Sequence, residues 1–201
     1  MFRSFFRRRA DPYPRVLYAR IVEQARSPDL YLILGVPDTL DGRFDMLVLH
    51  LSAVIDRLRR EDRAVDEHGQ HLFDLFVTDM DHNLREMAVG DLSVPKKMKK
   101  IGQAFYGRFG AYTRAEDADA LARAIGRNVF PGDGPDVVRP AAEALARYYI
   151  ELRRGLASRT ADQLLAGDVA FPAVPGLSGG AGPRGSFDDD PLSGATDPAD
   201  R

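Results

Sequence analysis

The 201-residue chain has no cysteine and no tryptophan. Without cysteine there is no disulfide framework, no thiol nucleophile and no thiolate metal site, a pattern that fits a reducing compartment. No run of about eighteen apolar residues occurs, so no membrane-spanning helix is expected. The opening MFRSFFRRRADPYPR is charged but has no apolar stretch behind it, so no secretory signal is expected either. A net charge of −2 supplies no global field toward nucleic acid, and DNA is not an expected partner. Internal repeats are missing, and so is the alternating pattern of β-hairpins.

The composition that remains is that of an ordinary globular domain, 44% hydrophobic and 29% charged. Charge is unevenly placed along it. Arg3, Arg7, Arg8 and Arg9 stand near the start without an acid among them, and Asp188, Asp189, Asp190, Asp197 and Asp200 crowd the end. Three regions follow: a basic-aromatic arm over 1–13, a helical domain over 14–166, and a Gly/Pro/Asp-rich, mostly disordered tail over 167–201. The arm, with Phe2, Phe5 and Phe6 between arginines, suits either an anionic membrane surface or a frayed terminus.

Apolar residues recur at helical spacing through the domain. Val16, Leu17, Ile21 and Ala25 mark a first helix between Pro14 and Ser27. Leu30 to Pro37 reads as a short helix or extended connector, and Asp38 to Arg43 as a turn. Phe44, Leu47, Val48, Leu51, Val54, Ile55 and Leu58 line one broad face of a helix ending near Arg60, where Arg57 to Arg63 form a solvated end. A third helix from about Asp66 to Met87 is followed by Gly90, a left-handed stop. Ser93 and Pro95 open a fourth, whose stripe runs Val94, Met98, Ile101, Phe105, Phe109, Tyr112, with Gly102 at its edge to permit close helix approach. Thr113-Arg-Ala-Glu116 has the capping-box pattern for a fifth helix through Phe130. A sixth spans roughly Asp136 to Gly155, and Thr160 to Ala166 adds a turn or two. The fold class is all-α, a single-domain bundle of six to seven helices.

The distinctive chemistry lies between Gln70 and Tyr112, where no phosphate loop, nucleophile or metal cluster occurs. Asp79 and Asp81 project about 200° apart on one helix and cannot form a catalytic dyad, and Asp81 is one turn from Arg85 and can pair with it. Lys96, Lys97, Lys99 and Lys100 gather near a helix N-terminus, where the dipole disfavours cations; anionic lipid or RNA would use them through phosphate contacts, and a solvated helix face is the plain alternative. Lys97 and Arg108 share a flank about 16 Å apart. Tyr106, Gly107 and Arg108 fall outside the apolar stripe and form a docking surface that Arg127 and Asn128 can join, Asn128 needing a buried partner. His68, His71 and Asp74 match no defensible zinc spacing, although a metal-dependent hydrolase would use them. His50 reads as a hydrogen-bonded core histidine.

These residues carry a family resemblance. LFDLFVTDMDHNLREMAVGDLSVPKKMKKIGQAFYGRFGAY, followed by LARAIGRNVF, resembles the ubiquinol–cytochrome c chaperone family. Its blocks D-M-D-x-x-L-R-E, V-G-D-L-x-V-P-K-x-M-K, A-F-Y-G-R and R-N-x-[FY] occur in order between about Val22 and Leu152. One departure is the element Leu49-His50-Leu51, around which the family often carries tryptophan. The resemblance implies a non-catalytic assembly factor, without cofactor or metal, for the cytochrome b subunit of the bc1 complex. It also implies a cytoplasmic protein peripheral to the inner membrane, with a small partner protein and the ribosome as further contacts. Asp79, Asp81, Arg85, Tyr106, Gly107, Arg108, Arg127 and Asn128 would then meet client or partner, in an apolar groove between the third, fourth and fifth helices. The four lysines would meet membrane or RNA. A ribosome- or RNA-associated helical protein without a cytochrome b client is the alternative.

Overall fold

The computed structural model describes residues 13–61, 63–87, 93–131 and 135–176. The basic-aromatic arm, the stop expected at Gly90 and the tail beyond 176 lie outside these. The described residues are all-α. Six helices of twelve or more residues, α1 (Tyr13–Ala25), α3 (Leu40–Arg59), α4 (Arg63–Glu86), α5 (Val94–Thr113), α6 (Ala118–Val129) and α7 (Pro135–Ala157), are joined by two single-turn helices, α2 (Pro28–Leu32) and α8 (Ala161–Leu165).

The centre of the fold is α3. Every residue from Met46 to Ile55 is buried, so the helix has no solvent face over nearly three turns. The sequence pattern suggested one broad apolar face; Met46, Leu49, Ala53 and the polar residues among them lie under other helices instead. A helix apolar on all sides belongs in the middle of a bundle, and α1, α4, α5, α6 and α7 each pack on this one. Neighbouring members of that ring touch in the order α1, α4, α5, α6, α7. Between α7 and α1 the circle is closed by the Gln24 amide on the Tyr148 hydroxyl (3.0 Å) and by α8 against α1.

Three polar residues are buried on α3: Asp45, His50 and Ser52. Each has a partner inside the protein, as burial demands. His50 Nδ1 meets the Met46 carbonyl (2.7 Å), so that nitrogen carries the proton, and Nε2 accepts from the Tyr148 hydroxyl (2.8 Å). Ser52 donates to the Leu49 carbonyl and lies 3.2 Å from the Tyr149 hydroxyl. Thus two adjacent tyrosines of α7 are held by two polar residues of α3. Burial raises the pKa of both phenols, that of Tyr149 to about 12.

The ends of the elements differ from the sequence pattern where side chains compete for caps. The expected turn over Asp38 to Arg43 is the start of α3, because Thr39 accepts from the Gly42 amide. Gly42 lies under the preceding chain; a Cβ there would stand 1.9 Å from the Pro37 carbonyl oxygen. Asp117, and not Thr113, caps α6 by accepting from Ala120 N, while Thr113 ends α5 and bonds back to the Phe109 carbonyl. Ser93 stands at the start of α5 without a side-chain capping bond. A Cβ at Gly102 would meet nothing within 4 Å, so this glycine serves no close helix approach. Val16 and Met87, placed by periodicity on apolar faces, are 44% and 49% exposed. At the far end of α3, Arg57 is not solvated: its guanidinium donates to the carbonyls of Leu156 (3.1 Å) and Arg159 (2.7 Å) and closes the end of α7.

After α8 the chain turns at Gly167, whose φ of +85° favours glycine, and continues to residue 176 without helix or strand. Val169 is buried, and the Phe171 ring packs 5.9 Å from the His50 ring. This ten-residue strap (167–176), beyond the boundary placed at 166, covers the side of the bundle where α1 and α7 meet.

Burial pushes the His50 imidazole down to about 4. The neutral ring is therefore favoured by folding. Its contribution is present above the unfolded value near 6.5 and is lost as pH falls through about 4. Replacing His50 by Leu leaves the Tyr148 hydroxyl without its acceptor, which should cost about 1–3 kcal/mol at pH 7. The variant should also lose less further stability than the parent between pH 6.5 and 4. Thermal melts followed by circular dichroism across that range measure both.

Candidate functional site

Elsewhere in the bundle, α1, the start of α3, the end of α4 and the middle of α5 do not close against one another. They leave a cleft of about 550 Å3, within the ~300–1,000 Å3 typical of binding pockets. Phe44, Leu47, Met80, Leu84, Ile101 and Ala104 line it with apolar surface, and Leu40 and Met87 stand exposed at its mouth. Charged groups ring it: Arg26, Arg43, Lys100 and Arg108 against Asp41, Asp79 and Glu86.

The cleft is built on the third buried polar residue of α3. Asp45 is 2% exposed, and its Oδ1 accepts from Arg108 Nε at 2.5 Å. The Arg108 guanidinium lies over the Phe44 ring, 5.3 Å from its centroid, and its side chain retains 20% exposure on the cleft side. Burial pushes the Asp45 carboxyl up to about 6, against the charge and the hydrogen bond of Arg108. A raised carboxyl has the opposite sign to His50: its contribution is present below about 3.8 and lost as pH rises through about 6. Tyr112, buried on the same side of α5, has its hydroxyl raised by burial and then by Asp45.

A second lock joins α1 to α4. The Tyr18 hydroxyl donates to Asp79 Oδ2 (2.9 Å), and Asn83 reaches the other oxygen at 3.5 Å. Burial first, and then the adjacent Asp79 charge, hold the Tyr18 phenol well above its usual range. Asp79 is therefore a bonded wall of the cleft.

The residues singled out from sequence fall in four places. Asp79, Arg108 and, of the four lysines, Lys100 line the cleft. Asp81 points elsewhere on α4 and pairs with Arg85 Nε (2.7 Å), which holds its carboxyl below the usual range. Tyr106, 54% exposed, packs on Phe73 (5.2 Å between centroids) on the far side of α5 from Arg108, with Gly107 exposed between them and Lys96, Lys97 and Lys99 exposed in the first turns. On α6, Arg127 is exposed, while the half-buried Asn128 donates to the Ala124 carbonyl and adjoins the Tyr112 hydroxyl. An open groove among the described residues lies among α1, α3, α4 and α5, whereas the one expected from the helix order would lie among α4, α5 and α6. Asp74, grouped with His68 and His71 from sequence, is held by Gln70 (2.8 Å). Among the described residues no three His, Asp or Glu gather as metal ligands, and no helix is long and apolar enough to cross a membrane.

Sequence reasoning passed over Asp45, Tyr18 and Leu40, and took Phe44 only for part of the apolar face of its helix. Asp45 carried a signal, since it is an acid one residue into a long apolar run. Tyr18 carried none, because its partner is 61 positions away.

The family model for the ubiquinol-cytochrome C chaperone matches residues 33–171. The chain belongs to the ubiquinol–cytochrome c chaperone family. That match takes in α3, α4 and α5 and leaves α1, the remaining wall of the cleft, outside it. The crystal structure of the Cbp3 homolog from Brucella abortus is similar to this chain with a TM-score of 0.72 and 39% sequence identity, over 81% of this chain and 90% of that one. No curated protein matches the chain.

Removing one member of a buried ion pair strands the other. Arg108→Ala should therefore destabilise the fold by about 3–5 kcal/mol. The double change Asp45→Leu with Arg108→Leu should recover most of that loss. Urea denaturation of the parent and both variants checks the difference.

Proposed function

We propose that this chain is a non-enzymatic assembly chaperone of the ubiquinol–cytochrome c reductase (bc1) complex, and that it holds the cytochrome b subunit before the complex is complete. The observation that carries this reading is the coincidence of family and surface. A chain of the ubiquinol–cytochrome c chaperone family keeps an apolar cleft open between four otherwise well-packed helices. Apolar clefts with a polar rim suit a helical segment of a partner. Three carboxylates in or near it are already committed to partners: Asp79 to Tyr18, Asp81 to Arg85 and Asp45 to Arg108.

The client segment docks in the cleft, against Phe44, Met80 and Ile101. Work on a membrane-protein client places the chain in the cytoplasm, peripheral to the inner membrane. Lys96, Lys97 and Lys99 face anionic headgroups or ribosomal RNA there, and Tyr106 with Gly107 offers a separate contact for a small partner protein. Arg127 and the Asp81–Arg85 pair extend these polar contacts.

Deletion of the gene in a cell with a bc1 complex should lower assembled cytochrome b, read from its haem absorbance and from native gels. Ala104→Trp, which fills the cleft from α5 without touching the core of α3, should reproduce that loss with an unchanged circular dichroism spectrum. Normal bc1 content after deletion overturns the assignment. Ribosome co-sedimentation lost when the lysines become alanine, with bc1 unchanged, would establish the RNA-associated alternative.

A further inference from the structure

We infer that the cleft reads a carboxylate: its occupant is an apolar helical segment with one acidic side chain, which the Nη groups of Arg108 receive. The inference rests on the reading of the cleft as the client surface and adds the chemistry of what fits there.

Three observations carry it. The first is the state of Arg108. Its Nε is committed to Asp45, and Phe44 lies under its plane, so the guanidinium is held in one orientation before anything binds. Its Nη atoms have no hydrogen-bond partner among the described residues, although the side chain lines the cleft. A fixed fork of charged donors matches a carboxylate in two contacts and needs little further ordering.

The second is the pairing of the charged groups on the rim. Asp79 is occupied by Tyr18 and Asn83, and Glu86 by His82 (3.1 Å). Arg43 is paired outward with Asp38 (2.7 Å). Arg26 and Lys100 have no side-chain partner among the described residues, and of the acids only Asp41 is in that position. Acids and cations thus both border an apolar floor, and the cations Arg26 and Lys100, which no side chain answers, stand open to an anionic group beside Arg108.

The third concerns the backbone of the occupant. The walls are helices, whose main-chain groups are bonded within themselves, so the cleft has no strand edge to pair with an extended peptide. A helix satisfies its own amides and carbonyls and can insert side chains at i, i+3, i+4 and i+7. An occupant without an acid would cover the Nη donors and leave them dry. That is the situation in which a polar pocket rejects the wrong ligand most strongly.

The test uses the full chain and two fluorescein-labelled 18-residue helical peptides of leucine and alanine, with one glutamate or one glutamine at the centre of the apolar face. Fluorescence anisotropy should show the glutamate peptide binding about tenfold more tightly, the difference between a charged and a neutral acceptor. Arg108→Lys keeps the cation that Asp45 requires and loses the fork, so the ratio between the peptides should fall toward one with the melting temperature retained. Equal affinity of the two peptides for the parent chain overturns the carboxylate inference and leaves cleft docking standing. Failure of both to bind, or binding that survives Ala104→Trp, overturns cleft docking and the inference with it.

Discussion

A helix buried on every side obliges each polar group on it to find a partner within the protein. In this bundle α3 imposes that condition, and Asp45, His50 and Ser52 answer it in different directions. His50 and Ser52 recruit the hydroxyls of Tyr148 and Tyr149, which sets the register of α7 on α3. Gln24 then bonds Tyr148 and carries the arrangement to α1. Apolar burial supplies most of the driving force and tolerates sliding between helices; hydrogen bonds to fixed partners do not. The order of the ring follows from where those partners stand.

Asp45 is the case in which the structural demand reaches the surface. Its partner is a side chain that also faces the cleft, so one ion pair both closes the core and presents charge at the binding surface. The Tyr18–Asp79 bond does the same at the opposite wall, joining α1 to α4 with a group that borders the opening. The cleft is therefore a gap held apart by polar links behind its walls, and its shape depends on residues that a ligand would never touch.

Much of this was legible in the residue pattern. The period of α4, α5 and α7, the core assignment of Phe105 and the hydrogen-bonded state of His50 follow from spacing alone. What spacing does not carry is the choice among competing partners. Asp117 and Thr113 are both good caps, and the fold uses the one that leaves Thr113 inside α5. Arg57 looks like part of a solvated basic run until α7 arrives to offer its carbonyls. Tyr106, Gly107 and Arg108 are consecutive and look like one surface. A helix turns about 200° between the first and the third, and the two side chains serve different neighbours. The cleft was missed as an address because it is formed by what α1 does, and α1 contributes through contacts with residues some sixty positions later.

The bond between His50 and Tyr148 spans 98 positions. A ribosome adding roughly 5–20 residues per second releases α3 at least about 5 s before α7 can cover it. During that interval the most apolar helix of the chain has no ring around it, and its histidine and serine have only water or their own backbone as partners. A client-holding protein of this design thus passes through a stage in which it presents the kind of surface it is proposed to shelter in another. The order of its helices, with the buried one early and its covering tyrosines late, makes its own synthesis the moment at which it is most open to aggregation.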